Sequence, residues 1–341
     1  MIKVGVIGAT GYTGAELIKL VFNHPEAELS IITSKSYEGQ PISDVFPVFN
    51  NIINNKCQTL DVDAISEQTD IVFLCLPHKI SMEYVPLFYK NGIKVIDLSA
   101  DFRFNNIASY ELAYQKHTSK ELFEFSAYGL SEIYEKEIKK AKIIGNPGCY
   151  PTSFLLPMIP LVKEKVIDID FIISDSKSGV SGAGRSPNLV THFCEANESF
   201  KPYKVGSHRH TPEMEEKLSE NAGKEIKITF VPHLLPITRG MLTTIYTNVN
   251  ENISRTDIEN IFHDYYKKKY FIRLLQNGSF PDILSVKGTN FCDIGFFMDK
   301  ITGRLIIVSA IDNLLKGAAG QAIQNMNIIF NLKEYTGLDK I

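Results

Sequence analysis

The sequence lacks the features that mark secreted, membrane-spanning and nucleic-acid-binding proteins. It has no Cys-x-x-Cys pair, and its five cysteines are odd in number and scattered, which argues against a disulfide framework and a zinc site and favours a reducing cytoplasm. No apolar run approaches membrane-spanning length. The formal net charge of -3 gives no electrostatic basis for binding nucleic acid or an anionic membrane. Because the N-terminus leads directly into a predicted strand, we also expect no signal peptide.

The amino-acid composition is that of an ordinary globular protein. Its 341 residues, 44% hydrophobic and 22% charged, are enough for two domains with a sizeable core. In the first half, short β-branched segments alternate with helical ones, and the predicted strands cover residues 2–7, 28–33, 70–76, 94–98 and 142–144. This alternation predicts an N-terminal Rossmann-type parallel sheet, with ligands at the carboxyl ends of its strands.

The second half contains strand candidates with fewer helices between them, at residues 167–175, 226–231, 241–249, 293–299 and 304–310. This pattern predicts an α+β catalytic and dimerisation domain with a mixed or antiparallel sheet. Segment 231–240 has too many prolines for a central strand, so Arg239 is predicted to lie on a loop, as a carboxylate clamp or a surface charge. We therefore expect a dinucleotide-binding domain at 1–148, a catalytic domain at 149–312, and a C-terminal helix at 313–331 that packs back on the first domain.

A glycine-rich turn, GATGYTG, follows the first predicted strand and precedes a helical segment. Strand, glycine turn and helix form the context that a dinucleotide-binding fingerprint requires, because the glycines allow a tight turn and the helix N-terminus receives the pyrophosphate. The spacing is GxxGxxG, so a plain connector between strand and helix is the alternative. After the second strand the chain offers Thr33, Ser34, Lys35 and Ser36 but no acid until Glu38, which favours NADP(H) over NAD(H), unless Lys35 is simply a solvated lysine.

The stretch at 142–152, KIIGNPGCYPT, places Cys149 between a predicted strand end and a helical segment. Unpaired backbone N–H groups and the positive end of the helix dipole favour the thiolate there, and the thiolate is the nucleophile. The two glycines let the backbone approach a substrate carbonyl, so the stretch predicts an attacking cysteine beside amides that hold an oxyanion. The alternative is a small buried hydrophobic side chain.

Three further segments carry candidate site residues. SGVSGAGR at 178–185 can cradle a phosphate or a nicotinamide amide, or it is a flexible crossover. SHRHTPE at 207–213 places His208 and His210 before a helix for which Thr211 is the predicted N-cap, and these histidines suit a general base or a proton partner for a thiol, although a structural role is the alternative. Arg103 follows a strand end and suits a phosphate, whereas a plain loop role is favoured for His78.

The order of these motifs resembles one family. GATGYTG, DLSADFRF, GNPGCYPT, SGAGR, HRHTPE, PHLLPITRG and DNLLKGAAGQAIQNMN occur in sequence along essentially the whole chain. The set is similar to that of the N-acetyl-gamma-glutamyl-phosphate reductases of arginine biosynthesis, within the aspartate-semialdehyde dehydrogenase-like group.

The resemblance implies a cytoplasmic homodimer or homotetramer that needs NADPH and no metal. It implies reduction of N-acetyl-L-glutamyl 5-phosphate to the 5-semialdehyde through a cysteine thioester, with release of phosphate. The same chemistry on a carrier-linked aminoadipyl phosphate or on aspartyl phosphate is an alternative. Two other classes, a Cys/His hydrolase and a nucleotide-sensing module, are weaker alternatives, because neither makes use of both the cysteine turn and the cofactor fold.

Carried over to this sequence, the resemblance makes Cys149 the nucleophile and draws the acid/base residue from the pair His208 and His210, with His210 slightly favoured. Lys35 stands where family members often carry arginine, so a weaker NADPH preference is expected. Together with the loops above, the predicted cofactor-binding residues are Gly8, Thr10, Gly11, Tyr12, Thr13, Gly14, Ser34, Lys35, Ser178, Gly182 and Asn313. The predicted substrate-binding residues are Arg103, Asn146 and Arg239.

Overall fold

The computed structural model describes residues 1–276 and 278–339. The chain divides into two compact units. The first unit comprises Met1–Pro147 and the C-terminal segment that begins at Ala318, and the second comprises Gly148–Gly317.

The first unit is built on a six-stranded sheet in which every strand pair is parallel. Its elements in chain order are β1 (Ile2–Ile7), α1 (Tyr12–Phe22), β2 (Ala27–Thr33), α2 (Ile42–Val45), α3 (Val62–Ser66), β3 (Ile71–Leu74), α4 (Ser81–Lys90), β4 (Lys94–Asp97), α5 (Ile107–Ala113), β5 (Ser126–Tyr128), α6 (Ser131–Ile138) and β6 (Ile143–Gly145). The strand order is β2-β1-β3-β4-β6-β5. The prediction of an N-terminal Rossmann-type parallel sheet is therefore confirmed.

The central strands are apolar along their whole length because both faces of the sheet are covered. In β3 all four residues are buried, and alternate residues enter two separate core clusters. Phe73 joins the cluster that includes Leu17 and Ile18 of α1, whereas Val72 joins the cluster that includes Val85 of α4. Helices thus lie on both faces, as expected for a doubly wound fold.

The order of the strands marks where this unit can bind a ligand. The chain passes from β1 to β2 on one side and returns to β3 on the other side of β1. Ligands of open parallel sheets bind at the carboxyl ends of strands where the order reverses in this way. The glycine turn that begins at Gly8 lies at this reversal point.

The C-terminal helix of the first unit is buried at every position from Gly320 to Ile329, although it carries four polar amide side chains. Those amides bind other buried groups: Asn325 Nδ2 donates to the Gly129 carbonyl at 2.9 Å, and Gln324 Nε2 donates to Glu132 Oε1 at 2.9 Å. A continuous helix over 313–331 was expected. The α-helix itself covers Gly320–Ile329 and follows a π-helical turn at Leu315–Ala319.

The second unit contains a mixed seven-stranded sheet in the order β11-β12-β13-β10-β7-β9-β8. Its elements are α7 (Cys149–Lys163), β7 (Ile167–Gly179), α8 (Phe193–Ala196), β8 (Lys201–Pro202), α9 (Thr211–Ala222), β9 (Thr229–Leu235), β10 (Met241–Val249), α10 (Arg255–Tyr266), β11 (Ile272–Leu274), α11 (Ile283–Val286), β12 (Cys292–Asp299) and β13 (Arg304–Ile311). Helix α7 packs on β10 and β13, with α9 and α10 beside it. The predicted mixed sheet is confirmed.

The prediction that residues 231–240 contain too many prolines for a central strand is wrong for the first half of that segment, which lies between two neighbouring strands. Strand β9 extends to Leu235 and includes Pro232, which lies opposite Ser176 of β7. The Pro232 carbonyl accepts a hydrogen bond from Tyr203 N at 3.0 Å, so the proline nitrogen faces the same side. Strand β8 pairs through only two residues on that side, Lys201 and Pro202, so the missing N–H of Pro232 breaks no extended ladder.

Candidate active site

The glycine turn after β1 has a geometry that only glycine accommodates. Gly8 has φ +82°, and a Cβ there would lie 2.6 Å from the Cys75 carbonyl oxygen. A Cβ on Gly14 would lie 2.7 Å from the carbonyl oxygens of both Gly8 and Ala9. Helix α1 can therefore begin after a turn of only four residues, Gly8 to Gly11, with Gly11 as an N-cap that has no side-chain hydrogen bond. The turn fits the pyrophosphate of a dinucleotide, which binds backbone N–H groups at a helix N-terminus.

The residues after β2 lie beside this turn. The hydroxyls of Thr10 and Ser34 are 3.0 Å apart, and the Thr33 carbonyl accepts a hydrogen bond from Ala9 N at 2.9 Å. Lys35 is exposed, as is Tyr12 at the start of α1. The loop thus offers buried hydroxyls next to the turn and one exposed ammonium group after it, and that ammonium group suits a 2′-phosphate.

Arg103 and Asn146 are buried in the first unit, where they join the ends of β4 and β6. Arg103 Nε donates to the Asn146 carbonyl at 2.6 Å, and Arg103 Nη2 donates to the Leu98 carbonyl at 2.8 Å. The Asn146 side chain donates to the Ala318 carbonyl and accepts from Asn325 Nδ2, both at 3.1 Å. These contacts give both residues a structural role. Their predicted role in substrate binding remains a prediction.

Sequence reasoning did not single out Asp101, which is fully buried in the loop after β4. Its carboxylate accepts hydrogen bonds from Lys79 N at 3.0 Å and from the Tyr110 hydroxyl at 2.9 Å. Lys79 has φ +79°, an unfavourable conformation for lysine that this carboxylate holds in place. His78 has the structural role favoured for it, since its Nδ1 accepts a hydrogen bond from Ala100 N at 2.8 Å. The loop after β3 is thereby fixed to the loop after β4.

Cys149 is the first residue of α7, and Gly148 is its N-cap. The helix includes Pro151, which is tolerated in a first turn because its missing N–H would have no intrahelical partner there. The Gly148 carbonyl accepts from Thr152 N at 2.9 Å and from Thr152 Oγ1 at 3.0 Å. On the other side, Gly148 N donates to Glu213 Oε1 of α9 at 2.9 Å. The turn that carries the thiol is therefore fixed from both sides.

His208 is buried with a defined tautomer. Its Nδ1 accepts a hydrogen bond from His210 N at 3.1 Å, so the proton resides on Nε2, which is 3.4 Å from the Tyr203 hydroxyl. Tyr203 in turn donates to the Tyr150 hydroxyl at 3.0 Å. Burial, with help from Arg209 and Lys204, lowers the pKa of His208 to about 3, so its imidazole is neutral near pH 7.

His210 is the N-cap of α9, so the prediction that Thr211 caps this helix is wrong by one residue. The helix starts earlier because His210 already has helical backbone angles, with φ -82° and ψ -13°. Its buried ring lies edge-on to Tyr150, with centroids 5.9 Å apart, and to His208, with centroids 4.9 Å apart. Tyr150 follows Cys149 directly, so the second unit brings the thiol-bearing turn and both histidines to one aromatic cluster.

The remaining predicted residues form a second polar group in the same unit. Asn313 is buried, and its side chain joins two loops: Nδ2 donates to Ser181 Oγ at 2.9 Å and Oδ1 accepts from Gly240 N at 2.7 Å. Ser178 is buried at the end of β7, and Gly182 is exposed just beyond it. The structure thus places these three predicted cofactor residues in the second unit, whereas the glycine turn belongs to the first.

Arg239 lies on a loop, as predicted, and its guanidinium binds a carboxylate of the protein itself. Its Nε and Nη2 donate to the two carboxylate oxygens of Asp312, each at 3.1 Å. Asp312 is fully buried and also accepts a hydrogen bond from Gly288 N at 2.8 Å. This two-pronged contact makes Arg239 a structural residue, whatever it contributes to substrate binding.

Two kinds of site do not occur in the part of the chain that the structure describes. Over residues 1–276 and 278–339, no helix is both long and apolar enough to cross a lipid bilayer. Over the same residues, no group of histidine, cysteine and acidic side chains has the arrangement of a metal site.

Comparison with known proteins places both units in a known family. The family description "Semialdehyde dehydrogenase, NAD binding domain" matches residues 3–141, and "Semialdehyde dehydrogenase, dimerisation domain" matches residues 149–313. The chain is 58% identical to the N-acetyl-gamma-glutamyl-phosphate reductase of Desulforapulum autotrophicum over 99% of this chain and 98% of that protein. It is 51% identical to the reductase of the same name from Alkaliphilus metalliredigens over 100% of this chain and 99% of that protein. The chain belongs to the N-acetyl-gamma-glutamyl-phosphate reductase family.

Solved structures of more distant proteins share the fold. Aspartate semialdehyde dehydrogenase II of Vibrio cholerae superposes with a TM-score of 0.74 at 17% identity, covering 97% of this chain and 98% of that one. The aspartate semialdehyde dehydrogenase of Candida albicans, solved with NADP, superposes with a TM-score of 0.72 at 18% identity over 97% of this chain and 98% of that one. At these sequence identities the likeness shows a shared fold and nothing about function.

Proposed function

We propose that this protein catalyses the NADPH-dependent reduction of N-acetyl-L-glutamyl 5-phosphate to N-acetyl-L-glutamate 5-semialdehyde, with release of phosphate. The family assignment supports the reaction, and one observation in the structure supports the mechanism. Cys149 is the first residue of α7, beside the first turn of α9, which His210 caps. An acyl phosphate reductase needs such an arrangement, because a carboxylic acid derivative is reduced to an aldehyde most directly through a thioester.

Cys149 provides the nucleophile. The N-terminal turn of α7 favours its thiolate, which attacks the acyl phosphate carbonyl and forms a thioester as the phosphate group leaves. Backbone N–H groups at a helix N-terminus point toward a bound anion, so those of Cys149 and Tyr150 are the donors proposed to hold the carbonyl oxygen during attack. Gly148 N is not proposed for this role, since it donates to Glu213.

We assign the acid/base role to His210. His208 uses Nδ1 to accept from His210 N and directs Nε2 to Tyr203, and burial keeps it neutral, so it positions its neighbours. His210 then takes the thiol proton in the first step and returns a proton to the Cys149 sulfur when the C–S bond breaks and the aldehyde is released. The nicotinamide of bound NADPH supplies the hydride that converts the thioester carbonyl to the aldehyde oxidation state.

The residues present fit NADPH. The turn suits a pyrophosphate because Gly8 has a left-handed φ of +82° and because there is no room for a Cβ on Gly14. Lys35 is proposed to bind the 2′-phosphate. Ser178, Gly182 and Asn313 are proposed to contact the nicotinamide end, and Arg103, Asn146 and Arg239 to contact the substrate. These roles come from the family resemblance and await variants that separate binding from folding.

We also propose that the protein is a cytoplasmic homodimer or homotetramer. The match to a dimerisation domain over residues 149–313 supports an assembly of this kind. Alternate residues of β10 are buried and half-buried, so one face of the second unit's sheet is partly open. A second copy of this chain is the proposed occupant of that face. Light scattering on the purified protein tests this proposal, and a monomer at micromolar concentration would refute it.

The reaction is tested by following absorbance at 340 nm with purified protein, N-acetylglutamate 5-semialdehyde, inorganic phosphate and NADP⁺, at the wavelength at which the reduced nicotinamide absorbs. We expect phosphate-dependent formation of NADPH, with much lower rates for aspartate semialdehyde and for a carrier-linked aminoadipate semialdehyde. The Cys149→Ser variant should be inactive. Equal rates with all three aldehydes, or normal turnover by the variant, would contradict the proposal.

A further inference from the structure

Helix α9 contains a glutamate, Glu213, whose side chain forms a hydrogen bond with another element of the second unit. Glu213 is the third residue of α9 and is fully buried. A glutamate at this position commonly turns back to accept a hydrogen bond from the N-cap backbone N–H of its own helix. Here the N-cap is His210, and its N–H donates instead to His208 Nδ1 at 3.1 Å. Because His208 serves as the local acceptor, the Glu213 carboxylate can reach another element.

That other element is the turn that carries the proposed nucleophile. Glu213 Oε1 accepts a hydrogen bond from Gly148 N at 2.9 Å. Gly148 is the N-cap of α7 and has no side chain with which to satisfy the first-turn N–H groups. A carboxylate at this place is favoured by the positive ends of two helix dipoles, those of α7 and α9. The same contact binds the first turn of α7, which holds Cys149, to the first turn of α9.

We propose that Glu213 is a positioning residue for the reaction: its carboxylate holds the Gly148 amide and so fixes Cys149 relative to His210. This inference rests on the proposed function, because it assigns the two ends of the link to the nucleophile and its proton partner. His208 contributes to the same arrangement, since its Nδ1 accepts the hydrogen bond of the His210 N–H that Glu213 would otherwise accept. Displacing a reacting group by about 1 Å can cost about 10²-fold in rate, which is the size of effect that loss of the link should have.

Two substitutions of Glu213 separate the effect of its hydrogen bond from the effect of its negative charge. Glu213→Gln keeps the length and an oxygen acceptor, whereas Glu213→Asp keeps the charge but is one methylene too short to reach Gly148 N. We expect Glu213→Asp to lose about 10²-fold in kcat with KM for NADP⁺ within about twofold of wild type. Glu213→Gln should stay within about threefold of the wild-type kcat, because its oxygen still accepts the same N–H.

Glu215 provides a matched control on the same helix. Its Oε1 accepts a hydrogen bond from a backbone amide, Ile228 N, at 3.1 Å, remote in sequence from the cysteine turn. Glu215→Asp shortens a side chain of the same type with the same kind of partner, so any loss from general loosening of α9 appears in this variant too. We expect its kcat to match wild type, and thermal unfolding of each variant reports whether it folds.

A measurement that does not need turnover completes the test. Hydrogen exchange of the peptide that contains Gly148 should show one amide losing protection in Glu213→Asp but not in Glu213→Gln or Glu215→Asp. If wild-type protein is active and Glu213→Asp keeps its kcat, the positioning role is refuted while the proposed function stands. Equal losses in Glu213→Gln and Glu213→Asp would also refute it, because the variant that keeps the acceptor oxygen would then be no better than the variant that cannot reach Gly148 N. If wild-type protein shows no reductase activity, the proposed function fails, and the exchange result still decides whether the link exists.

Discussion

The substitution Gly11→Ala should weaken cofactor binding while leaving the stability of the protein nearly unchanged. Gly11 has φ -80° and ψ 167°, which alanine adopts without strain, and a Cβ there would meet nothing nearer than the Gly8 carbonyl oxygen at 3.9 Å. Alanine is a poorer N-cap than glycine by about 0.5–1 kcal/mol. It also recovers about 0.4–1 kcal/mol by restricting the unfolded chain. The two effects offset each other, so the free energy of unfolding should change by less than about 1 kcal/mol.

Binding of NADPH should respond differently, because the second glycine of this fingerprint is where a pyrophosphate comes closest to the backbone. Forcing one extra methyl into a tight contact costs about 1–3 kcal/mol, which corresponds to about 5- to 150-fold in Kd. Titration calorimetry with NADPH measures this loss, and thermal unfolding without cofactor measures stability. Gly14→Ala is the contrasting variant, since its Cβ would lie 2.7 Å from two carbonyl oxygens and should lower Tm without any ligand. Wild-type affinity for NADPH in Gly11→Ala would refute the placement of pyrophosphate at this turn.

Three further changes probe other parts of the account. Lys35→Ala should raise KM for NADPH at least about threefold and leave KM for NADH unchanged, because the exposed ammonium group is proposed to contact only the 2′-phosphate; equal changes in both values would contradict this role. Arg239→Leu should destabilise the protein by about 3–5 kcal/mol, seen as a lower Tm, because it leaves the buried Asp312 carboxylate without its two-pronged partner; an unchanged Tm would show that the pair is not structural. Burial and the neighbouring Asp101 raise the pKa of Asp97 to about 7, so the stability tied to protonated Asp97 is present at low pH and is lost as pH rises from about 4 to about 7. In Asp97→Asn, whose amide can still bind the Ser99 hydroxyl and N–H, the fall of Tm over that range should be smaller, and an identical pH profile would contradict the assignment.

Local constraints made part of this structure predictable. The turn at Gly8 was foreseeable because closely spaced glycines separate a β-branched segment from a helical one, and glycine readily adopts the left-handed φ of a tight turn. The position of Cys149 at the start of a helix was foreseeable for a similar reason, since the sequence just before it forbids regular structure. The sheet of the first unit followed from the alternation of buried strands with helices.

Contacts between distant segments were not predictable in the same way. Nothing near Glu213 in the sequence indicates that it binds Gly148, since that contact depends on how α9 packs beside α7. The partner of Arg239 is 73 residues away, and the position of Pro232 in a strand depends on the shortness of β8. Helix α9 starts one residue earlier than predicted because His210 already has helical backbone angles, which the residue types before the helix do not reveal.

The claim on which the account depends is that Cys149 forms the thioester. It is tested most directly by mixing the enzyme with N-acetylglutamyl phosphate in the absence of any nicotinamide cofactor, quenching in acid, and measuring released phosphate and protein mass. We predict a burst of about one phosphate per active subunit and a matching N-acetylglutamyl mass increase that peptide mapping locates on Cys149. Absence of the burst in an enzyme that turns over with NADPH, or an acyl group on any other residue, would contradict the account.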